Sequence, residues 1–252
     1  MRLTVIGCSG SFPGPDSPAS CYLVEAPYAD GTFRVLLDLG NGSLGPLQRH
    51  APLDGIDAVV ISHLHADHCL DLCSFYVARR YLPAGPLARI PVHGPAGTAD
   101  RMARAYDLDP DPGMHAEFAF ADMQPGPFAV GPFTLRTARV NHPVEAYAVR
   151  VEHAGRSLVY SGDTGPSQAL IELARGADLL LCEASFHEGR DTVPDLHLNG
   201  REAAEHATRA GASRLLLTHL PPWNDPARSL AEAAPAFTGP LDLARAGAVL
   251  EV

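Results

Sequence analysis

Short apolar runs alternate along this chain with segments of helical periodicity. Ala58–Ser62 is a continuous apolar run of the kind that forms a strand buried on both faces. Helical spacing of apolar residues follows over Cys69–Tyr81, and Asn199 is placed to cap the helix Arg201–Ala210 because Glu202 stands three residues further on. Strands that alternate with helices predict an α/β fold of stacked sheet and helix layers.

The same patterns delimit the remaining elements. The other predicted strands are Arg2–Gly7, Cys21–Glu25, Arg34–Asp38, Ile90–Pro95, Phe133–Val140, Ala146–Val151, Ser157–Ser161, Asp178–Glu183, Arg214–His219 and Ala248–Val252. The other predicted helices are Ala96–Tyr106, Pro166–Arg175 with proline in its first turn, and Pro226–Phe237. Residues 107–132 are rich in Asp, Pro and Gly and predict loops and edge strands.

Length and composition describe a globular protein with room for a full core. At 252 residues the chain is long enough for one large α/β domain or two small ones, and it needs no disulfide to stabilise them. No linker or low-complexity segment divides it. An apolar content of 46% and a charged content of 19% are typical of soluble proteins.

The charge of the chain argues against a large nucleic-acid partner. The formal net charge is −10, the 19 basic residues are all arginine, and no basic run occurs. Because nucleic-acid binding is driven by a basic surface, we expect the outer surface to repel a large polyanion.

No pattern in the sequence indicates export or a membrane. The five cysteines are odd in number and form no C-x-x-C pair, which favours reduced thiols. No apolar run approaches the roughly 20 residues that span a bilayer. The N-terminal strand also lacks the apolar region and cleavage site of a signal peptide. We therefore expect a cytoplasmic protein.

Three histidines and an aspartate lie within six residues, directly after the apolar run that ends at Ile61. They are His63, His65, Asp67 and His68. Imidazole nitrogens and carboxylate oxygens are the usual ligands of zinc and similar divalent ions. Residues two apart in an extended chain point the same way, so His63 and His65 would bind one ion while Asp67 and His68, past the bend, face another.

Polar residues also stand at the ends of four later strands: His142, Asp163, Glu183 and His219. Because the strand ends of an α/β domain converge on one edge, these side chains are expected near the first cluster. His63, His65 and His142 would then hold one ion, and Asp67, His68 and His219 the other. Asp163 would bridge, since a carboxylate has an oxygen for each ion. Two ions about 3.5–4 Å apart can share a hydroxide and clamp both oxygens of a displacement, as in hydrolases of esters, amides or phosphoesters.

This ligand series resembles the metallo-β-lactamase superfamily over nearly the whole chain. The resemblance rests on His63-x-His65-x-Asp67-His68, His142, Asp163 in Ser-Gly-Asp-Thr, and His219. It implies one domain over residues 1–252, built as a four-layer αββα sandwich with two zinc ions at one edge of the inner sheets. The same ligand types also suit manganese or iron.

Two further segments are similar to the ribonuclease Z-like branch of that superfamily. Cys182-Glu183-Ala184-Ser185-Phe186 resembles its His-Glu-Ala-Thr-Phe segment, and residues 195–200 resemble its later histidine motif, although Leu-Asn replaces the usual Ser/Thr after His197. The resemblance implies that His197 donates a proton to the leaving oxygen and that Glu183 holds its ring. An alkoxide leaving group makes such an acid chemically sensible. Asp67 is a candidate acceptor for the proton of the attacking water.

The absence of a basic arm separates this chain from ribonuclease Z itself. Those enzymes hold tRNA with an inserted arm rich in Gly, Pro and basic residues, and no such insertion occurs here. Whole-chain similarity, including residues 7–11 and 17–20, is greater to actinobacterial members that look like cyclic-nucleotide phosphodiesterases. The resemblance therefore implies hydrolysis of a small cyclic nucleotide such as cAMP by a metal-bound hydroxide, in a homodimer.

Three other functions stay open at this point. One is a ribonuclease Z-like endonuclease. Another is a metallohydrolase of a different small ester, such as a cyclic phosphate, a lactone or a thioester. The third is a metal-binding scaffold without catalysis. Two smaller questions also stay open: Cys69 is either a ligand or a buried filler, and the loop 8–18 is either a connection or a rim that presents N–H groups to an anion.

Overall fold

The computed structural model describes residues 1–252, and its strands form two seven-stranded sheets. The first sheet contains, in spatial order, β14 (Val249–Glu251), β1 (Arg2–Gly7), β2 (Cys21–Tyr28), β3 (Gly31–Leu37), β4 (Ala58–Val60), β5 (Ile90–Gly94) and β6 (Phe118–Asp122). The second contains β13 (Leu241–Leu243), β12 (Leu215–Thr218), β11 (Leu179–Glu183), β10 (Arg156–Tyr160), β9 (Tyr147–His153), β8 (Phe133–Arg139) and β7 (Gly126–Val130).

Helices cover the outer face of each sheet, which confirms the αββα layering. Those on the first sheet are α1 (Leu44–Leu47), α2 (Ala66–Cys69), α3 (Asp71–Tyr81) and α4 (Thr98–Ala105), with a 3₁₀ turn at Leu53–Gly55. Those on the second are α5 (Gln168–Leu173), α6 (Gly200–Ala210) and α7 (Pro226–Ala233). None of the helices has the length and apolar character that crossing a membrane requires.

The continuous apolar runs are explained by burial on both faces of each sheet. In β3, Val35 and Leu37 pack between the two sheets, whereas Leu36 packs against the helices outside. In β11, Leu179 and Leu181 face the other sheet while Leu180 contacts the outer helices. Because successive side chains of a strand point to opposite faces, both sets must be apolar in this architecture.

The parallel strands bring their carboxyl ends to one edge of the sandwich. Strands β3 to β6 are parallel to one another, and so are β10 to β13. The segments that follow β4, β10 and β12 carry His63, Asp163 and His219, and Glu183 is the last residue of β11. The convergence of strand ends that the sequence predicted is therefore confirmed.

Several element boundaries differ from the prediction for physical reasons. Helix α2 begins at Ala66, so Asp67 and His68 lie within a helical turn rather than before one. Pro166 precedes helix α5 instead of starting it, because the Ser167 hydroxyl caps the helix by accepting a hydrogen bond from the Leu170 N–H at 3.3 Å. Helix α7 ends at Ala233, two residues before Pro235, which has no N–H to donate.

At the edges of the sheets, two strands were predicted from the sequence and one was missed. Residues 107–132 supply β6 and β7, which are the edge strands of their sheets, as predicted. The strand at residues 241–243 was not predicted from the sequence. Strand β13 has only three residues, of which two are half-buried and one is exposed, so it leaves no apolar run to detect.

The apolar residues of helix α3 belong to the core rather than to a free surface. Phe75 is fully buried and Tyr76 is 3% exposed, and both pack with the first sheet. Val77 is partly buried against the same cluster. These side chains therefore give no support to the predicted homodimer, which stays a prediction that light scattering would test.

Candidate metal centre

The structure brings all seven predicted ligands together in two adjoining groups at the common edge of the sheets. One group contains His63, His65, His142 and Asp163; the other contains Asp67, His68, Asp163 and His219. Within each group the candidate ligand atoms lie within 4.8 Å of one another. This is the division that the ligand count predicted, with Asp163 common to both groups.

Asp163 presents a different oxygen to each group. Its Oδ1 lies 3.2 Å from His68 Nε2 and 3.4 Å from His219 Nε2. Its Oδ2 lies 3.6 Å from His63 Nε2. The side chain is buried, yet Oδ1 accepts no hydrogen bond. A buried carboxylate oxygen without a partner is unfavourable, so the residues fit a cation between them.

Three ring nitrogens converge in the first group. His63 Nε2 lies 3.1 Å from His65 Nδ1, and His142 Nε2 lies 3.2 Å from the same atom. Burial is the main cause that lowers the pKa of each of these three imidazoles. They are therefore neutral near pH 7, which is the form that binds a metal.

The second group joins two ring nitrogens to a carboxylate. His68 Nε2 and His219 Nε2 lie 3.1 Å apart, and Asp67 Oδ2 lies 3.0 Å from His219 Nε2. Burial alone would raise the pKa of Asp67, but the neighbouring rings of His219 and His68 hold that pKa well below its usual value. Asp67 is thus an anion over the whole working range of pH, which suits a ligand better than an acceptor of protons.

In three of these histidines a hydrogen bond from Nδ1–H leaves Nε2, which faces the ligand group, with a free lone pair. His68 Nδ1–H donates to Asp38 Oδ2 at 2.7 Å, and His219 Nδ1–H donates to Ser185 Oγ at 2.7 Å. His142 Nδ1–H donates to the Leu196 carbonyl at 3.0 Å. Fixing the proton on Nδ1 leaves Nε2 free as a donor of electrons to a metal. The nitrogen and oxygen set fits zinc and similar divalent ions.

Asp38 was missed by the sequence interpretation and organises one side of the centre. It is fully buried, and its carboxylate accepts hydrogen bonds from the Ser62 N–H at 2.6 Å and the Ser62 hydroxyl at 2.8 Å. The Tyr160 hydroxyl donates to it from the second sheet at 2.7 Å. A signal was available, since Asp38 follows an apolar strand directly, as the other candidate residues do.

Replacing Asp38 with asparagine is expected to lower metal affinity by about 10- to 100-fold, the usual effect of losing an outer partner of a ligand. The amide cannot accept all four donors, so the ring of His68 loses its fixed orientation. Competition with a chelating dye would measure the affinity. Asp57→Asn is the matched control, because Asp57 accepts only from the Arg34 N–H, at 2.7 Å, and contacts none of the ligands. Equal affinities in the two variants would contradict this role for Asp38.

Glu183 and His197 form a hydrogen-bonded pair beside the two ligand groups. Glu183 is fully buried, and its Oε1 accepts from His197 Nδ1–H at 2.9 Å and from the Thr164 N–H at 2.8 Å. Its Oε2 accepts from the Ser185 N–H at 3.2 Å. His197 Nδ1 lies 3.9 Å from Asp163 Oδ2, and its Nε2 has no protein partner. The free nitrogen of His197 is therefore the one available to a bound molecule.

Charge at this pair favours the protonated form of His197. Burial alone would lower its pKa, but the charge of Glu183 and the hydrogen bond to it, together with Asp163, raise the pKa to about 9. An imidazole that holds its proton at neutral pH can donate that proton in a reaction.

The structure answers the question about Cys69 and places the loop 8–18 beside a candidate ligand. Cys69 is buried, its Sγ donates to the His65 carbonyl at 3.2 Å, and burial raises the pKa of the thiol to about 12, so it packs as a filler outside both ligand groups. The loop 8–18 reaches the centre, since the Ser11 N–H points to His219 Nε2 at 3.4 Å.

Known proteins resemble this chain over its whole length. Residues 33–220 match the model of the beta-lactamase superfamily domain. The Mycobacterium leprae protein ML1173 is 43% identical over 100% of this chain and 89% of its own. The probable metallo-hydrolase YhfI of Bacillus subtilis is 32% identical over 100% of both chains, and its crystal structure superposes with a TM-score of 0.87 at 30% identity, covering 99% of each chain. A Mycobacterium bovis ribonuclease Z is 31% identical over 96% of this chain and 95% of its own.

Proposed function

This chain belongs to the beta-lactamase superfamily as a metal-dependent hydrolase, and from that premise we propose that it is a dinuclear phosphodiesterase acting on small cyclic nucleotides such as cAMP. The observation that carries the proposal is the Glu183–His197 pair, which sets a protonated imidazole beside a site for cations. Phosphodiester hydrolysis expels an alkoxide, and an alkoxide needs a proton donor of this kind. A thioester makes no comparable use of a separate acid, because its thiolate leaves readily as an anion.

Each half of the proposed centre has its own residues. His63, His65 and His142 would hold one ion and Asp67, His68 and His219 the other, with Asp163 shared. Two divalent cations, whether zinc, manganese or iron, would supply the positive charge that polarises a phosphate and activates water. The negative carboxylates of Asp67 and Asp163 need that charge, because without it they would repel an anionic substrate.

His197 and Glu183 would then act on the leaving oxygen. His197 Nε2–H would donate its proton to the ribose oxygen as the phosphorus–oxygen bond breaks. Glu183 would fix the ring through Nδ1–H and stabilise its positive charge beforehand. The Thr164 and Ser185 N–H groups hold the Glu183 carboxylate in place, so this acid is oriented before substrate arrives.

The charge of the protein supports a small substrate. A net charge of −10 without a basic run disfavours a long polyanion on the outer surface. A cyclic nucleotide carries one phosphodiester and reaches the centre without needing such a surface. Binding would therefore depend on the cations and on contacts close to them.

A turnover panel tests the proposal directly. The metal-loaded protein would be given cyclic nucleotides, a linear phosphodiester, a lactone and a thioester, each with and without a chelator. We expect cyclic nucleotides to give the highest kcat/KM and the chelator to remove the activity. Preferred turnover of the lactone or thioester would contradict the phosphodiesterase assignment, and absence of any chelator-sensitive turnover would favour a scaffold.

Replacing Glu183 with glutamine is expected to change the pH dependence of turnover. His197 has a raised pKa of about 9, so its acid form is present below that pH and is lost as the pH rises through it. The neutral amide removes the charge that raises the pKa, and the descending limb of kcat should move to lower pH by about 1–3 units. A lower kcat with an unmoved limb would show that Glu183 only supports the structure.

Ribonuclease Z activity is the second candidate because of the 31% identity to the Mycobacterium bovis enzyme. The aligned region is 274 residues long, which exceeds the 252 residues of this chain, so the ribonuclease carries segments that this chain lacks. Cleavage of a precursor tRNA at a rate above that of cyclic nucleotides would replace the proposed function with this one.

A further inference from the structure

Two aromatic side chains stand exposed in contact with each other, on two loops that adjoin the candidate ligand His219. Phe12 is 41% exposed and Trp223 is 62% exposed, and their ring centroids lie 5.0 Å apart with the planes tilted by 43°. Large apolar side chains normally lose most of their exposure on folding, so such a pair calls for a reason. Trp223 is also the single tryptophan of the chain.

The loop that carries Phe12 is tied to the ligand His219. The Gly10 N–H donates to the Leu220 carbonyl at 3.1 Å, and the Ser11 N–H points to His219 Nε2 at 3.4 Å. The approach at Gly10 is so close that a Cβ there would lie 2.3 Å from the His219 carbonyl oxygen. Phe12 is the next residue after Ser11, so its Cα lies about 3.8 Å from that of the residue whose N–H reaches His219.

The loop that carries Trp223 is fixed to the same ligand from the other side. Asn224 is buried, and its side-chain N–H donates to the Ser185 carbonyl at 2.7 Å. Ser185 in turn accepts the Nδ1–H of His219 at 2.7 Å. Pro221 and Pro222 limit the backbone between His219 and Trp223. The two loops that carry the aromatic rings are therefore both tied to His219 before any ligand binds.

We propose that Phe12 and Trp223 form a stacking platform for the base of a nucleotide whose phosphate lies at the metal centre. This inference rests on the proposed function and names the contact that would recognise the rest of the substrate. Every base has a π-face, so stacking on aromatic side chains binds all bases with little discrimination. The platform thus predicts an enzyme that requires a base and accepts both purines and pyrimidines.

The tryptophan gives a test that needs no turnover. Emission of Trp223 in the metal-loaded protein would be followed during titration with adenosine 5′-monophosphate, uridine 5′-monophosphate, ribose 5-phosphate and inorganic phosphate. We expect both mononucleotides to quench the emission saturably and the two base-free phosphates to leave it unchanged. Equal responses to adenosine monophosphate and ribose phosphate, or no response to either nucleotide, would overturn the proposal. So would an emission that depends on protein concentration alone, which would assign the pair to a contact between copies.

Kinetics of variants provide the second measurement. The ratio of kcat/KM for cAMP to that for the cyclic phosphate of methyl riboside should fall about tenfold in Trp223→Ala and in Phe12→Ala, through KM. Trp223→Phe should recover most of the ratio. Tyr28→Ala is the matched control, because Tyr28 is 51% exposed and pairs with Phe33 at 5.6 Å at the far end of β2. An unchanged ratio in both platform variants would overturn the inference.

The two proposals can fail separately. Quenching by mononucleotides without hydrolysis of any cyclic nucleotide would leave the platform in place and reject the phosphodiesterase. Hydrolysis of cAMP and of the base-free cyclic phosphate at equal kcat/KM would keep the phosphodiesterase and reject the platform.

Discussion

Replacement of Asp163 by asparagine is expected to remove turnover by at least about 10³-fold, because a two-ion site needs a ligand that serves both ions. In the structure Asp163 Oδ1 faces His68 and His219 while Oδ2 faces His63. An amide has one oxygen and no charge, so it cannot replace both contacts. Metal content should fall from two equivalents per chain toward one, and elemental analysis together with turnover of a cyclic nucleotide would measure both effects.

A surface aspartate supplies the control for this substitution. Asp178 accepts from Arg156 at 2.7 Å and from the Ser157 N–H at 2.8 Å, and it contacts none of the ligand residues. Asp178→Asn should therefore keep two equivalents of metal and wild-type turnover. If Asp163→Asn also kept both, the shared-ligand role of Asp163 would be wrong.

Replacement of His197 by alanine is expected to lower turnover of cyclic nucleotides by about 10²- to 10⁴-fold while leaving metal content at two equivalents. The effect should depend on the leaving group. A ribose oxygen leaves poorly without a proton, whereas p-nitrophenolate leaves readily as an anion. The loss should consequently be far smaller with a p-nitrophenyl phosphodiester than with cAMP.

This dependence separates proton donation from general damage to the site. A misfolded or metal-poor variant would lose activity on both substrates alike. His50→Ala removes an exposed histidine that lies outside both ligand groups and should change neither rate. Equal losses on the two substrates in His197→Ala would rule out the acid role and leave His197 as a group that positions its neighbours.

The convergence of the seven candidate ligands was predictable because their positions follow from strand geometry. Each of His63, Asp163 and His219 comes just after a buried apolar strand, and parallel strands end at one edge. The αββα layering was predictable through the resemblance, while the alternation of strands and helices alone gave only stacked layers. An apolar strand and the polar residue that follows it are neighbours in the chain, so both can be recognised from the sequence alone.

The sequence does not reveal contacts made by backbone carbonyls and common side chains, because these groups occur throughout the chain. The Leu196 carbonyl and the Ser185 hydroxyl fix two ligand histidines, yet any residue has a carbonyl and serine is common in turns. Trp223 and Phe12 are distant in sequence, and only the folded chain brings them into contact. Asp38 differs from these groups, because it stands at the end of a predicted strand and could have been included among the candidate site residues.

The bonds between the sheets also determine when the centre can form during synthesis. Tyr160 reaches across to Asp38 at 2.7 Å, and the Tyr22 hydroxyl lies 2.6 Å from the Thr218 hydroxyl, one residue before His219. A ribosome makes all the ligands of the first loop early, but the last ligand emerges only when most of the chain has been made. Until then the group formed by Asp67, His68 and Asp163 lacks its fourth member, His219. The two proposed ions would thus be retained only by the finished sandwich, and partly made chains would lack hydrolytic activity.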